Sequence, residues 1–149
     1  MRNYLTFIVL VFGFVAFSAF KPEGKKKAPK FKTYFACKQY GKIVLSAEQF
    51  LQYMQQPFCA KDSTGAEYKV VSFEMIYAET GLYQDSTGLP IIHTDYTYGT
   101  FKGNTIDDIW TKKFKEHVYK GDTIRFNNVL VKGADSLTYR SSNIEMVLR

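Results

Sequence analysis

Residues 118–140, V-Y-K-G-D-T-I-R-F-N-N-V-L-V-K-G-A-D-S-L-T-Y-R, decide the fold. They predict a helix end, a corner at Gly121-Asp122, a long strand and a turn at residues 133–136. The apolar positions of residues 122–132 change phase at Asn127-Asn128, so we expect a β-bulge that reverses the inward face of the strand. Residues 143–149 are apolar at alternate positions and predict a closing strand.

Two extended segments supply partners for this strand. Residues 67–79 alternate between apolar and polar side chains, and the adjacent Val70-Val71 indicates either another bulge or a strand that is covered on both faces there. A further run starts at Pro90, and a loop at residues 81–88 is expected to join the two runs into an antiparallel pair. The tetrapeptide D-S-T-G occurs at residues 62–65 and again at 85–88, where each aspartate predicts an Asx-type turn.

Capping signals predict two helices. Ser46 and Gln49 form an S-x-x-Q capping box, and Pro57 ends the helix that follows. Thr105 is expected to cap the second helix, and Gly121 to follow its C-terminus. The apolar stripe expected of the second helix consists of Ile106, Ile109, Trp110, Phe114 and Val118.

The positive charge of the chain belongs to its N-terminal part. The formal net charge is +6, of which Arg2 contributes +1, and residues 21–32 contribute +5 from six Lys and one Glu. The 13 basic and 13 acidic residues from position 33 onward therefore cancel. A nucleic-acid surface needs clustered positive charge on the folded domain, so we predict no nucleic-acid partner.

The N-terminus predicts export. Arg2 precedes an apolar run, and small residues allow cleavage after Ser18 or Ala19, so residues 1–19 form the expected signal peptide. The alternative is an uncleaved anchor, because residues 4–20 could just span a bilayer. Residues 20–32, rich in Lys and Pro, predict a flexible linker or a patch for anionic headgroups. Residues 33–149 then form one domain of a periplasmic or secreted protein.

Two cysteines, Cys37 and Cys59, remain after removal of the signal. An exported chain meets an oxidising compartment, so the pair can form a disulfide that contributes about 3 kcal/mol. The alternative is two small buried thiols. Spacing along the chain does not decide between these two states.

The sequence offers no catalytic constellation. Both D-S-T-G segments carry one residue more than the D-[ST]-G loop of aspartic proteases. His93 and Asp95 supply two ligands of the three or four that a metal site needs, and His117 is placed to interact with a helix C-terminus. Nucleophile elbows, zinc-protease helices, phosphate loops and C-x-x-C pairs are lacking. We therefore predict no enzyme, no cofactor and no metal.

Aromatic residues concentrate around the middle hairpin. We predict partner binding there by Tyr83, Tyr96, Tyr98 and Phe101, because tyrosine gives broad, rigid contact area with a polar end. On the run after Pro90, Ile92 and Thr94 share a face with Tyr96 and Tyr98. The alternative is cross-strand aromatic pairing that only stabilises the sheet.

The order and spacing of several short motifs resemble the C-terminal domain of the gliding-motility and type IX secretion shaft protein family (GldM/PorM). The resemblance covers residues 41–149. The motifs are Gly41 with Ser46 and Phe50, Phe58-x-Ala60, Tyr68-x-Val70-Val71-Ser72-Phe73, Lys120-Gly121-Asp122-x-Ile124-x-Phe126 and Lys132-Gly133-Ala134-Asp135.

This resemblance implies a periplasmic, immunoglobulin-like antiparallel β-sandwich in the envelope of a Bacteroidota bacterium. In the family, such a domain contacts outer-membrane-associated ring components. The family's helical, membrane-anchored N-terminal region has no counterpart here, and its energy-transducing role depends on that region. The loop before Pro90 also looks longer than the family pattern. Only the fold and an interaction role are therefore carried over.

We accordingly expect a non-enzymatic protein-interaction module of the periplasm or envelope. Its partners would be envelope proteins, including outer-membrane-associated secretion or motility components, and it would meet the membrane only through an uncleaved signal segment. The alternative is a β-sandwich that binds a small ligand or glycan through its Tyr-rich hairpin. A hydrolase built on His93 and Asp95 is the weakest hypothesis.

Overall fold

The computed structural model of the protein describes residues 28–149. The predicted signal peptide and residues 20–27 of the predicted linker lie outside the described residues. The described part is mainly β, and its elements are β1 (Lys32–Tyr34), β2 (Lys42–Leu45), α1 (Ala47–Tyr53), β3 (Cys59–Lys61), β4 (Glu67–Gln84), β5 (Pro90–Lys102), α2 (Asp108–His117), β6 (Thr123–Lys132), β7 (Thr138–Arg140) and β8 (Ile144–Leu148). Neither helix of residues 28–149 has the length and apolar character that crossing a membrane requires.

The strand β4 lies at the centre of the sheet, with partners along both edges. On one edge β6 pairs antiparallel with residues 69–78 of β4. On the other edge β3 pairs with residues 67–68 and β5 with residues 72–84. The strand β6 has β8 along its first half and β7 along its second, and β2 joins β8 in parallel.

The sheet curls until β1 meets the segment that follows β7. Phe31 forms a bridge with Ser141, and the Thr33 hydroxyl donates a buried hydrogen bond of 2.8 Å to the Ser141 hydroxyl. The Phe31 ring is buried between the rings of Tyr68 and Tyr139. Phe31 is therefore part of the packed core, although it lies inside the segment 20–32 that the sequence predicts as a linker.

One face of the curled sheet and both helices enclose the core. The rings of Phe50 in α1 and Phe114 in α2 are 5.0 Å apart between centroids, and Phe114 packs on Tyr77 of β4 at 5.2 Å. Both helices therefore cover the same face of the sheet, which we call the core face. The core also includes Phe35, Phe58, Phe73, Phe101 and Phe126.

Several local predictions are confirmed. Ser46 and Gln49 form the capping box of α1, since each side chain accepts a hydrogen bond from the other residue's backbone. The pairing of β4 with β6 shifts register between Val70 and Ser72, which places one bulge at the adjacent Val70-Val71. A second shift occurs at Asn128, whose φ is +49°. The phase change in the sequence therefore located the bulge of β6.

The two D-S-T-G segments form the same turn. The Oδ1 atom of Asp62 accepts from the backbone of Thr64 at 2.8 Å, and Asp85 accepts from Thr87 at 2.8 Å. The threonine hydroxyls donate to the same carboxylates and lower the pKa of both aspartates. This is the Asx-type turn chemistry that the sequence predicts.

Three predictions about α2 are wrong. Asp107 caps the helix and accepts a hydrogen bond from the backbone of Trp110, whereas Thr105 lies outside it. Ile109 is exposed, so it does not belong to the buried stripe. The helix reaches its C-terminal cap at Val118, and Gly121 has a φ of +101° in the corner that follows. The corner, and not the helix cap, needs the glycine there.

The loop predicted at residues 81–88 is shorter in the structure. Strand β4 continues to Gln84, β5 begins at Pro90, and the turn between them is closed by a hydrogen bond from the Asp85 amide to the Leu89 carbonyl. Gly81 lies inside a strand and pairs with His93. The hairpin is therefore longer and more regular than its Gly and Ser content indicates.

Cys37 and Cys59 are joined by a disulfide, with their Cα atoms 4.9 Å apart. Cys37 lies in the tight loop after β1, where it and Ala36 both have positive φ. Cys59 begins β3, the strand that pairs with β1. The bond therefore holds this loop against the edge of the curled sheet.

Candidate interaction surface

The corner residue Asp122 determines how the hairpin leaves the sheet. The last residue of β4 that pairs with β6 is Ala78, opposite Thr123. The next β4 amide that points toward the β6 edge belongs to Thr80, and it donates a hydrogen bond of 3.0 Å to Asp122 Oδ1. The Tyr119 amide donates to Oδ2 at 2.8 Å, and the carboxylate is fully buried. Asp122 thus replaces the missing neighbour strand at this point.

Tyr77 completes this anchor. Its hydroxyl oxygen lies 2.7 Å from Asp122 Oδ2 and 2.9 Å from the carbonyl oxygen of His117, so its single proton is shared between two acceptors. Burial raises the pKa of Tyr77 far above its ordinary value, and the hydrogen bond to Asp122 raises it further. The neutral hydroxyl therefore joins β4, the end of α2 and the corner.

Beyond this anchor the hairpin projects from the sheet. We call residues 79–95 the hairpin arm; within the described residues, its two strands pair only with each other. The arm exposes large aliphatic side chains, with Leu82 at 74% and Ile92 at 79% of their full exposure. Leu89 at the turn and Ile91 are exposed as well.

Alternation along the paired strands gives the hairpin two different faces. On one face the facing pairs are Ile76 with Tyr98, Ala78 with Tyr96, Thr80 with Thr94 and Leu82 with Ile92. This face points away from both helices, and we call it the outer face. On the core face the facing pairs are Tyr77 with Thr97, Glu79 with Asp95, Gly81 with His93 and Tyr83 with Ile91.

The outer face continues onto β6, where Arg125 pairs with Ile76. The Arg125 Nε atom donates to Glu145 Oε2 at 3.1 Å, and Lys42 lies 3.7 Å from the other oxygen of that carboxylate. A groove of about 180 Å³ lies on the outer face beside Tyr96 and Arg125. The groove is lined by Ile76, Ala78, Thr80, Thr94, Tyr96, Thr123 and Arg125. A charged rim thus borders an apolar and aromatic surface.

The four residues predicted to bind a partner do not form one surface. Tyr96 and Tyr98 are 58% and 70% exposed on the outer face. Tyr83 lies on the opposite face and donates to Asp95 Oδ2 at 2.8 Å. Phe101 is only 3% exposed, and its ring stacks on Phe73 with centroids 4.8 Å apart. Phe101 is therefore a core residue and cannot contact a partner directly.

Sequence reasoning did not select three residues of the outer face. Leu82 falls in the predicted loop at residues 81–88, Ile92 is identified only by its phase, and Arg125 belongs to the predicted strand at residues 122–132, for which no binding role is predicted. Leu82 and Ile92 could have been found from the alternation of inward and outward side chains, which continues on both sides of the turn. The expectation of a loop at residues 81–88 left this part of the pattern out. The signal for Arg125 is non-local, because it depends on the pairing of β4 with β6.

The histidine and aspartate of β5 contact each other on the arm. His93 Nε2 lies 3.1 Å from Asp95 Oδ1, and the His93 ring meets the Tyr83 ring edge to face. Within residues 28–149 no three His, Cys, Asp or Glu side chains are grouped closely enough to hold a metal ion. His117 is half exposed at the end of α2.

The described part of the chain is thus a mainly β domain in which both helices lie on one face of the sheet and the outer face continues along a projecting hairpin. A scan against models of protein families finds none that matches the chain, and a search of curated proteins finds no match either.

Proposed function

We propose that this protein is a non-enzymatic interaction module of the bacterial envelope, which docks other envelope proteins on the outer face of its hairpin. The observation that carries this proposal is the exposure of Leu82, Ile92, Tyr96 and Tyr98 on one continuous face. Contiguous apolar surface on a folded protein marks an interaction site more often than scattered exposed side chains do.

The composition of this face suits a protein partner. Tyr and Arg are enriched at the centres of protein interfaces, where they contribute a large share of the binding energy. Tyr96 and Tyr98 lie beside Arg125, which is held by Glu145 at the rim. The arm is anchored by the buried Asp122, so binding should order few side chains and lose little conformational entropy.

The resemblance to the gliding-motility and type IX secretion shaft family supports the same function. In that reading the curled sheet is an immunoglobulin-like β-sandwich, the signal peptide exports the chain to the periplasm, and the partners are outer-membrane-associated secretion or motility components. The corner Gly121-Asp122, which belongs to the motifs of the resemblance, also anchors the hairpin arm.

A small-molecule or glycan site receives less support from the geometry. Ligand pockets usually enclose about 300–1,000 Å³. The groove beside Tyr96 measures about 180 Å³ and is open on the outer face. A flat protein surface would cover more of the exposed aromatic area than a ligand of that size could.

Crosslinking inside the producing cells tests the docking function. A photo-crosslinking amino acid replaces Tyr98 in one variant and Leu137 in another; Leu137 is also exposed but lies at the far end of β6. We expect position 98 to crosslink to a defined envelope protein and position 137 to give no such adduct. Identical adducts from both positions, or none from position 98, would contradict the proposal.

A further inference from the structure

The outer edge of β5, which we call the open edge, pairs with no strand of residues 28–149. In the part of the chain that the structure describes, β5 pairs only with β4, although it is 13 residues long. A strand edge of this kind presents backbone amides and carbonyls that another strand can bind.

Two hydrogen bonds show which residues of β5 point their backbone toward this edge. The Asp85 amide donates to the Leu89 carbonyl, and the Gly103 amide donates to the Val71 carbonyl, at opposite ends of the hairpin. The residues of both these hydrogen bonds have odd numbers. Because hydrogen-bonded pairs alternate with non-hydrogen-bonded pairs in an antiparallel ladder, the odd-numbered residues of β5 form the backbone hydrogen bonds to β4. The backbone groups at the open edge therefore belong to Ile92, Thr94, Tyr96, Tyr98 and Thr100.

The usual protections of an edge strand are sparse along β5. Natural edges carry Lys or Pro, contain bulges or remain short. Pro90 and Lys102 occupy the two ends of β5, and its pairing with β4 runs without a register shift. Between these ends the only His, Lys, Arg, Asp or Glu side chains are His93 and Asp95.

We propose that the open edge binds a second copy of this chain, antiparallel, with Thr94 on the two-fold axis. In this register His93 of each copy faces Asp95 of the other, and Ile92 faces Tyr96 of the other on the outer face. An axis at position 95 would place two aspartates opposite each other, and an axis at position 96 would pair Asp95 with Thr97. Asp95 already contacts His93 and Tyr83 of its own chain, and of these registers only the one centred on Thr94 adds the imidazole of the other copy opposite each carboxylate.

The geometry also satisfies the backbone. With Thr94 on the axis, Thr94 faces itself and Ile92 faces Tyr96, and all three are residues whose amides and carbonyls point to the open edge. Each of these facing pairs exchanges two hydrogen bonds. The two outer faces then lie side by side, so the dimer would offer a bivalent docking surface. The pairing itself does not depend on the proposed docking function.

Sedimentation equilibrium of the purified, disulfide-intact protein tests this inference. We expect a reversible equilibrium between one and two copies. Thr94→Pro removes an amide that points to the open edge, which an edge strand tolerates, and it should weaken the dimer about tenfold or more because both central hydrogen bonds are lost. Circular dichroism checks that this variant remains folded.

A charge exchange provides a second test that does not use proline. His93→Asp and Asp95→Lys should each weaken the dimer several-fold, and the double variant should restore it, because a basic and an acidic side chain again face each other. A protein that is monomeric up to about 100 μM would overturn the inference, and so would a dimer indifferent to both sets of variants. A monomer would also result if the chain's own residues 20–27 or a foreign strand occupied the edge. A dimer that captures no envelope protein would instead contradict only the docking function.

Discussion

Replacing Asp122 by alanine should be among the most damaging single changes in this protein. The carboxylate is fully buried and accepts hydrogen bonds from the Tyr77 hydroxyl and the amides of Thr80 and Tyr119. Each buried donor left without an acceptor costs about 1–3 kcal/mol. Because the Tyr77 hydroxyl can still donate to the His117 carbonyl, two amides lose their acceptor, and we expect Asp122→Ala to lower the free energy of unfolding by about 3–5 kcal/mol.

Urea denaturation of the full chain measures this loss. Asp107→Ala is the matched control, since it also removes an aspartate that accepts from a backbone amide, but at the exposed start of α2. That change should cost only about 1 kcal/mol. Asp122→Asn keeps one acceptor oxygen and should fall between the two. A cost for Asp122→Ala within about 1 kcal/mol of the Asp107→Ala value would refute the role of this carboxylate.

Amide hydrogen exchange adds a local measurement to the same prediction. In Asp122→Asn the Thr80 amide should exchange faster, because its acceptor is weakened. The Ile43 amide, in β2 at the other side of the sheet, should keep its rate relative to global unfolding. Equal acceleration at both positions would mean that the substitution destabilises the whole domain without releasing the hairpin arm.

Three further predictions concern other parts of the domain. Because its pKa is raised in the fold, the neutral Tyr77 hydroxyl contributes stability below the ordinary tyrosine pKa of about 10, and this contribution is lost as pH rises above that value. Tyr77→Phe should therefore reduce the loss of stability in alkali, measured by thermal unfolding at several pH values. Reduction of the Cys37–Cys59 disulfide should lower the free energy of unfolding by about 3 kcal/mol in urea titrations with and without reductant, and an unchanged midpoint would contradict this. Phe101→Ala should cost about 3–5 kcal/mol and Tyr98→Ala less than about 1 kcal/mol, and comparable costs would refute their assignment to core and surface.

Features set by neighbouring residues could be predicted from the sequence. The capping box of Ser46, the two Asx turns and the phase change at Asn128 each depend on contacts within a few residues. The start of α2 was missed because Thr105 and Asp107 are both good caps. In the structure Asp107 accepts the hydrogen bond from the Trp110 amide, so the helix begins two residues later than the Thr105 motif predicts.

Features that depend on distant parts of the chain could not be predicted. The contact of Thr33 with Ser141, which marks where the curled sheet meets itself, joins positions 108 residues apart. The buried position of Asp122 depends on where β6 stops pairing with β4, and nothing in the Gly-Asp dipeptide shows this. Phe101 was grouped with the tyrosines by proximity, although its odd number places it on the core face. Strand parity would have separated Tyr96 and Tyr98 from the other two residues.

The affinity of the protein for the envelope partner identified at position 98 tests the docking surface most directly. Isothermal titration calorimetry compares the unaltered protein, the double variant Tyr96→Ala with Tyr98→Ala, and Leu137→Ala as the control. We expect the double variant to bind at least about 30-fold more weakly and the control to stay within about twofold of the unaltered protein. Equal affinity of the double variant and the unaltered protein would contradict the account.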